Sequence, residues 1–392
     1  ALESILGFQY KIFPLYNNMK QKNTIIYFGM GCFTDTDVTV VKQLQKEYNV
    51  HWYVLHQPHD PYPVSFYADF VKNSGVKLHL LHIINRRRSF KVLKLMFDTF
   101  TEIVELSPSL IYSCCFDFYF LLAYLMKAKS IPLAFGIHDV IQHSGNRNSI
   151  FYHLSYRFSL LVGDMFLQFS SNQNIIFKRL YPKLKSFMVG MSIKDYGEAG
   201  GKKHIFDVST IKILFFGSIE YYKGYDLLIN AFEKILDMGI NNIKLSFFGG
   251  CITKNELHLK SLVKRFDKYN LRLHFIDNDE IPQIYNEHDW AIFPYREATQ
   301  SGPLMIAINY CLPIIAANHS CFKDILGDAN SSILYDSNDD NALIEILQNV
   351  SKMSNVDYKQ LKDEAIELKK RYSEHSIVNN YIKAFDELIK CN

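Results

Sequence analysis

One pattern constrains this chain more than any other: short apolar runs alternate with amphipathic stretches along most of its length, and the alternation stops once and restarts. The first series places candidate strands at Thr24 to Phe28, Val50 to Leu55, Val76 to His82, Leu110 to Ser113, Pro132 to Ile137 and Met165 to Phe169. Helical spacing fills the intervals, at Asp37 to Tyr48, Val64 to Lys72, Phe90 to Glu105, Asp117 to Lys127 and Asn172 to Leu180. Strand, helix, strand, repeated, predicts a parallel sheet covered by helices on both faces. From Tyr196 to Thr210 (YGEAGGKKHIFDVST) the periodicity is lost, as in a surface linker. It returns with strands at Ile211 to Phe216, Ile243 to Phe248, Leu271 to Ile276, Trp290 to Phe293 and Pro313 to Ala316. Helices are expected between them and at Asn341 to Val350, Asp357 to Arg371 and Glu374 to Lys390. The expected architecture is two doubly wound α/β domains, residues 1–195 and 211–372, joined by a linker at 196–210. A final helix within 373–392 is placed to cross back onto the first domain. Ligands of such sheets sit at the carboxyl ends of the strands, so the cleft between the domains is the expected site.

Composition supports this and excludes several classes. At roughly 150 residues per domain, the 392 residues are too many for one small binding module. Aliphatic, aromatic and Cys residues make up 48% and charged residues 21%, enough for large cores and against extended disorder. With 43 basic and 40 acidic residues, net +3, nucleic acid is not the default partner. The seven Cys show no metal-binding spacing and read as reduced thiols of a cytoplasmic protein. Ala1 to Lys20 lacks a basic segment followed by an apolar one, so no secretory leader is expected there. Ser109 to Met126 is nearly long enough to cross a bilayer, but Asp117 interrupts it, and it reads better as a buried strand turning into a buried helix.

Two segments carry candidate chemistry. In ILFFGSIEYYKGYDLLINAF (213–232), a buried strand ends at Gly217, a turn follows, and Lys223 precedes an apolar-striped helix. Glycine after a strand lets backbone N–H groups approach an anion, and a lysine at the turn supplies a point charge for phosphate. In WAIFPYREATQSGPLMIAINYCLPIIAANHSCFKDIL (290–326), a strand ends at Pro294, a polar loop follows, and Gly302 opens a helix. Unpaired N–H groups near Thr299 to Gly302 then face the cleft, with Arg296 and Glu297 placed for phosphate and hydroxyls. The bland alternative for Ser301 is a helix cap. Asp35-Thr36-Asp37 spells DxD, and here helix capping is the expected role rather than metal binding.

These segments together resemble the C-terminal domain of family 4 retaining glycosyltransferases: FFGSIEYYKGYDLLINAF, the Gly249-Gly250 pair, and PYREATQSG followed by CLPIIAA. In the first half, FGIHDVIQHSG resembles the HD-containing loop of bacterial members, and GDMFLQFSSNQNIIF matches another of their stretches at Asp164 and Ser170. The resemblance implies the GT-B fold and transfer of a hexosyl unit from a nucleoside diphosphate sugar to an acceptor hydroxyl with retention. It implies no cofactor and no metal, and it points to bacterial surface polysaccharide or glycolipid assembly with a saccharide or lipid-linked saccharide acceptor. Lys223 would pair with the donor diphosphate, and Gly217, Ser218, Gly249, Thr299, Gln300, Ser301 and Gly302 would line the donor. Gly29 and Gly31 would let backbone approach it from the other domain. His138 would lie against the transferred sugar, and His138, Lys223 and Glu297 form the expected catalytic set.

Two departures stand out. Gly217-Ser218 stands where the family usually has Gly-Arg, so one phosphate cation is missing and Arg296 is the expected replacement. The family's paired glutamates align on Ala298 and Ile306, with Glu297 one residue away from the first. A sugar-nucleotide epimerase of the same fold and a catalytically weak partner protein are the competing readings.

Asn85 to Leu106 adds a basic face, with Arg86, Arg87, Arg88, Lys91 and Lys94 beside an apolar stripe. Positive charge at a helix N-terminus is opposed by the helix dipole. A peripheral contact with anionic lipid on the inner face of the cell membrane is the expectation that would explain it.

Overall fold

The computed structural model describes residues 22–84, 89–115, 117–141, 150–200, 204–327, 329, 331–339, 341–372 and 374–391. The first sheet contains β1 (Thr24–Met30), β2 (Asn49–His56), β3 (Lys77–His82), β4 (Leu110–Ser113), β5 (Leu133–Ile137), β6 (Met165–Gln168) and β7 (Ser186–Met188). Its order is β3-β2-β1-β4-β5-β6-β7 and every pairing is parallel. Helices α1 (Thr34–Leu44), α2 (Val64–Ser74), α3 (Phe90–Glu105), α4 (Phe118–Lys127), α5 (Ile150–Val162) and α6 (Ser171–Leu180) connect these strands. The second sheet runs β10-β9-β8-β11-β12-β13, again parallel throughout. Its strands are β8 (Ile211–Phe216), β9 (Ile243–Phe248), β10 (Tyr269–Arg272), β11 (Trp290–Phe293), β12 (Ile314–Ala317) and β13 (Ser332–Tyr335). Around it lie α7 (Tyr225–Asp237), α8 (Thr253–Leu262), α9 (Ile281–Asn286), α10 (Gly302–Asn309), α11 (Ser320–Leu326), α12 (Ala342–Ser351) and α13 (Asn355–Arg371).

Parallel strands covered on both faces must be apolar on both faces, and the central ones are: Ile25 to Phe28 and Leu110 to Tyr112 are almost fully buried. Each sheet accordingly has one core on either side. The last helix, α14 (Glu374–Lys390), leaves the second domain and packs Val378, Tyr381, Ala384, Phe385 and Leu388 into the core of the first. Tyr48 donates to Asp386 at 2.7 Å, and the Asn380 amide donates to the Val189 carbonyl at 3.1 Å, fixing the crossing.

The alternation in the sequence located the central elements closely, and it missed those whose signals are weak. Strands β7 and β13 are three and four residues long and only partly buried, too short for their apolar residues to stand out as a strand. Helical spacing in the sequence runs from Lys254 to Tyr269, whereas α8 ends at Leu262, where the Glu233 carboxylate on α7 accepts from the Lys264 N–H at 2.9 Å. The following strand starts earlier than its hydrophobicity suggests, since Tyr269 must pair opposite Leu245 to stay in register with β9. Asp35 and Asp37 do not cap α1: Phe33 occupies the cap position and makes no side-chain bond. The stretch from Ser109 is β4 followed by α4, with Asp117 accepting from the Tyr119 N–H at 2.8 Å as the helix cap. Among the described residues no helix is long and apolar enough to cross a membrane. None of the seven cysteines is in a disulfide.

Candidate active site

In both sheets the strand order reverses between the first strand and the fourth, and the crevice outside the carboxyl ends at that point is where open α/β sheets hold ligands. In the second domain the reversal lies between β8 and β11. The chain leaves β8 through Gly217, at φ +104°. A Cβ at Gly249, where φ is +148°, would lie 2.1 Å from the Gly217 carbonyl oxygen, so only glycine lets the ends of β8 and β9 meet. Gly224, at φ +70°, likewise brings the turn against the Pro294 carbonyl, 1.9 Å from where a Cβ would stand.

These contacts fold Lys223 inward. Its ammonium donates to the Ser218 hydroxyl at 3.0 Å and lies 5.8 Å from the centre of the Tyr295 ring. Burial pushes its pKa down to about 8, against a small opposing effect from Glu220. The room beside Gly217 is bounded by Lys223 Nζ and the Pro303 ring, 3.2 and 3.0 Å from the Cβ position. The cation therefore stands at the first turn of α10. Ser301 caps that helix, accepting from the Leu304 N–H at 3.3 Å, so its hydroxyl has the structural role rather than pointing at a ligand. Gly302 is the first residue of the helix.

Arg296 does not replace the missing family arginine in this arrangement. Its guanidinium pairs with both Asp226 oxygens at 2.7 Å, donates to the Tyr221 carbonyl at 2.8 Å and stacks on the Tyr221 ring. The bidentate pair neutralises it and holds its pKa above the usual value. Glu297 is exposed on the same loop. Ile306, aligned with the family's second glutamate, is buried in the apolar core with Phe293 and Leu304, so no carboxylate serves that position.

The first domain contributes the opposite wall. His138 follows β5 and is sandwiched between Phe33 and Phe169, with ring centroids 4.9 and 4.4 Å away. Gln300, from the second domain, donates its amide N–H to the His138 carbonyl at 2.5 Å and places Oε1 3.2 Å from His138 Nδ1. The first bond orients the amide, so Nδ1 carries the proton that Oε1 accepts, and Nε2 is the lone-pair nitrogen. Burial lowers the His138 pKa, which keeps the ring neutral. Thr299 donates to Asp139 at 2.6 Å. The sequence-predicted HD pair and TQSG loop thus meet across the cleft.

Gly29 and Gly31 differ from expectation. A Cβ at Gly29 would fall 2.3 Å from Asp37 Oδ2, and one at Gly31 2.0 Å from Asp60 Oδ2. First-domain carboxylates, rather than open room for a donor, occupy the space these glycines leave. Asp37 is buried, accepts from Tyr27 at 2.7 Å, and has its pKa raised by burial to about 8.

Sequence reasoning missed Lys194. Its ammonium pairs with Asp35, which also accepts from Tyr196 at 3.0 Å, and it lies 3.3 Å from the Cβ position of Gly302. A second contact between the domains joins Asp324 to Ser171 and to the Asn172 N–H, at the start of α6. Arg86, Arg87 and Arg88 lie outside the described residues. Lys91 and Lys94 are exposed on α3, with Lys94 paired to Asp98 at 2.6 Å.

Residues 201–368, which carry β8 to β13, the Lys223 turn and α10, match the family model of glycosyl transferases group 1. The second domain is thus similar to the glycosyl transferases group 1. A protein from a cps region of Klebsiella pneumoniae, described as uncharacterized, is 25% identical over 178 residues, 45% of this chain. That alignment spans 46% of the relative, just under half its length. Among solved structures, sucrose-phosphate synthase from Thermosynechococcus elongatus superposes with a TM-score of 0.70 at 12% identity, covering 95% of this chain and 100% of that one. Anabaena Alr3699/HepE, solved in complex with UDP and glucose, gives a TM-score of 0.67 at 11% identity over 93% and 99% of the two chains. At these identities the likeness establishes the fold. It is the GT-B arrangement of two facing doubly wound domains.

Proposed function

We propose that this chain transfers a hexosyl unit from a nucleoside diphosphate sugar to an acceptor hydroxyl, with retention of configuration, in assembly of a bacterial surface polysaccharide or glycolipid. The observation that carries the reading is Lys223: a buried ammonium at the carboxyl end of β8, beside a glycine turn and the first turn of α10. Burying a charge is costly unless an opposite charge comes to meet it, and Ser218 alone is a neutral partner. A diphosphate supplies the missing charge. UDP is the favoured carrier, in keeping with the nucleotide bound to the Anabaena protein.

As the bond between the sugar and the diphosphate breaks, negative charge grows on the phosphate oxygens. Lys223 and the Gly302 N–H at the start of α10 stand beforehand where that charge develops, the arrangement from which electrostatic catalysis draws its effect. His138, neutral and held by Gln300, is suited to orient sugar hydroxyls rather than to act as a cation. Calorimetric titration with UDP, GDP, ADP, CMP and their common sugars tests the reading. One nucleoside diphosphate should bind, and Lys223→Ala should weaken it. Binding of none by demonstrably folded protein would sink the proposal and leave an inactive partner as the better reading.

A peripheral lipid contact is proposed for the first domain, close to a lipid-linked acceptor. It rests on exposed Lys91 and Lys94 and on Phe90 and Ile84, whose surfaces are 80% and 81% exposed. Sedimentation with anionic and neutral liposomes checks it, and equal binding to both would remove it.

A further inference from the structure

We infer that Lys194 is the second cation of the donor site, held by Asp35 until a diphosphate takes the place of that carboxylate. The inference rests on the donor reading above and names a residue that reading does not use. A diphosphate brings at least two negative charges, and the second domain's own cations do not match them. Ser218 stands where an arginine would serve, and Arg296 is neutralised by both oxygens of Asp226 at 2.7 Å. Of Arg296 and Lys223, the lysine is the one left to face the anion.

Lys194 reaches the same helix turn from the other side. Its Nζ and Cε both lie 3.3 Å from the Cβ position of Gly302, while Lys223 Nζ bounds the Gly217 space together with Pro303. Gly302 and Pro303 are adjacent, so the two ammonium groups flank one turn of backbone at the start of α10. The Lys194 side chain retains 15% of its exposure and that of Asp35 16%, so the pair is neither sealed nor free in solvent. Asp35 keeps a second donor, the Tyr196 hydroxyl at 3.0 Å, and is not stranded when the lysine leaves. A lysine on a four-carbon stem can turn from one anion to another a few ångströms away. Asp35 lies on α1 and Lys194 on the stretch between β7 and β8, so the exchange would also loosen the hold of α1 on that stretch. In this way the chain would make up for Ser218 with a cation from outside the second domain.

The test compares wild type with Lys194→Met, which keeps the stem, and Asp35→Asn, which frees the lysine. Calorimetry is run with the tightest binder among UDP, GDP and ADP and with its nucleoside. Lys194→Met should weaken the diphosphate about tenfold and leave the nucleoside unchanged, while Asp35→Asn should not weaken the diphosphate. A plain structural ion pair predicts something else: both variants weaken diphosphate and nucleoside alike. That result, or an unchanged diphosphate affinity in Lys194→Met, overturns the inference while Lys223→Ala still reports on the donor site. Absence of any binding by wild type overturns the donor reading and this inference with it.

Discussion

The two domains share a strand order through six strands, and their crevices are filled in opposite ways. At the switch point of the second, glycines bring strand ends together, a lysine is buried and a helix begins. At that of the first, carboxylates occupy the space: Asp37 against Gly29, Asp60 against Gly31, and Asp35 turned toward Lys194. Topology supplies a crevice to each domain, and among the described residues the second presents a buried lysine where the first presents aspartates. The first instead offers groups that attract the second: Asp139 to Thr299, the His138 carbonyl to Gln300, Ser171 to Asp324. On the proposed donor reading, the difference separates two jobs, one wall that holds negative charge and one that docks against it.

The sharpest way to break this comparison is to remove the charge on the anion-holding wall. Lys223→Ala is expected to weaken nucleoside diphosphate binding by about 10- to 100-fold, the range for a hydrogen bond between charged groups. Asp60→Asn, on the opposite wall, should change it less than twofold. Calorimetry on the two variants checks both, and equal losses would erase the distinction between the walls.

A second prediction uses pH. The Lys223 pKa stands near 8 in the unliganded protein, and a bound anion raises it, so binding takes up a proton above that value. Affinity for the diphosphate should therefore fall as pH rises through 8, approaching tenfold per unit, while nucleoside affinity stays level. Titrations between pH 7 and 9.5 would show it, and Lys223→Arg should flatten the profile.

A smaller effect is expected where the walls meet. Gln300→Ala removes two hydrogen bonds to His138, each worth about 0.5–1.5 kcal/mol, and frees the imidazole ring. Turnover should drop roughly three- to tenfold with nucleoside binding unchanged, because the bonds position His138 and tie the domains rather than hold the base. A loss confined to KM would place Gln300 in donor binding instead.

How much of this was legible in the sequence depends on how local each signal is. The sheets, the linker and α14 follow from apolar periodicity, which any buried strand or amphipathic helix must show. Lys223 and the TQSG loop were legible because both lie between a strand end and a helix start, positions the topology sends to the cleft. Lys194 gave no such signal: it follows a short, half-buried strand, and its meaning comes from α10, which is more than a hundred residues later. Arg296 misled for the converse reason. It sits in the right loop, but its partner Asp226 is on α7, and nothing local in the sequence shows the two pairing. Gly29 and Gly31 were read as room for a ligand when the neighbours filling that room, Asp37 and Asp60, come from α1 and the loop after β2.

The last prediction sets one buried group from each domain against the other in stability. Lys223 has its pKa lowered by burial to about 8, against an ordinary value of 10.5. Below pH 8 the amine is charged in both folded and unfolded chains, and the folded state carries the whole desolvation penalty. Between 8 and 10.5 the unfolded chain binds more protons, so stability rises with pH and the penalty fades. Asp37 runs the other way: its pKa is raised from 3.8 to about 8, so stability falls across that interval and the full penalty stands only above it. Lys223→Met should therefore stabilise the chain at pH 5 and 7 and lose that gain by pH 10, whereas Asp37→Asn should gain little at pH 5 and most at pH 9. Each gain should be about 1–3 kcal/mol at its best pH, read from urea midpoints at fixed m. Parallel profiles for the two variants would mean that burial does not penalise the two charges as their surroundings imply. Crossing profiles would show that the anion-holding domain keeps a buried cation at the expense of its own stability.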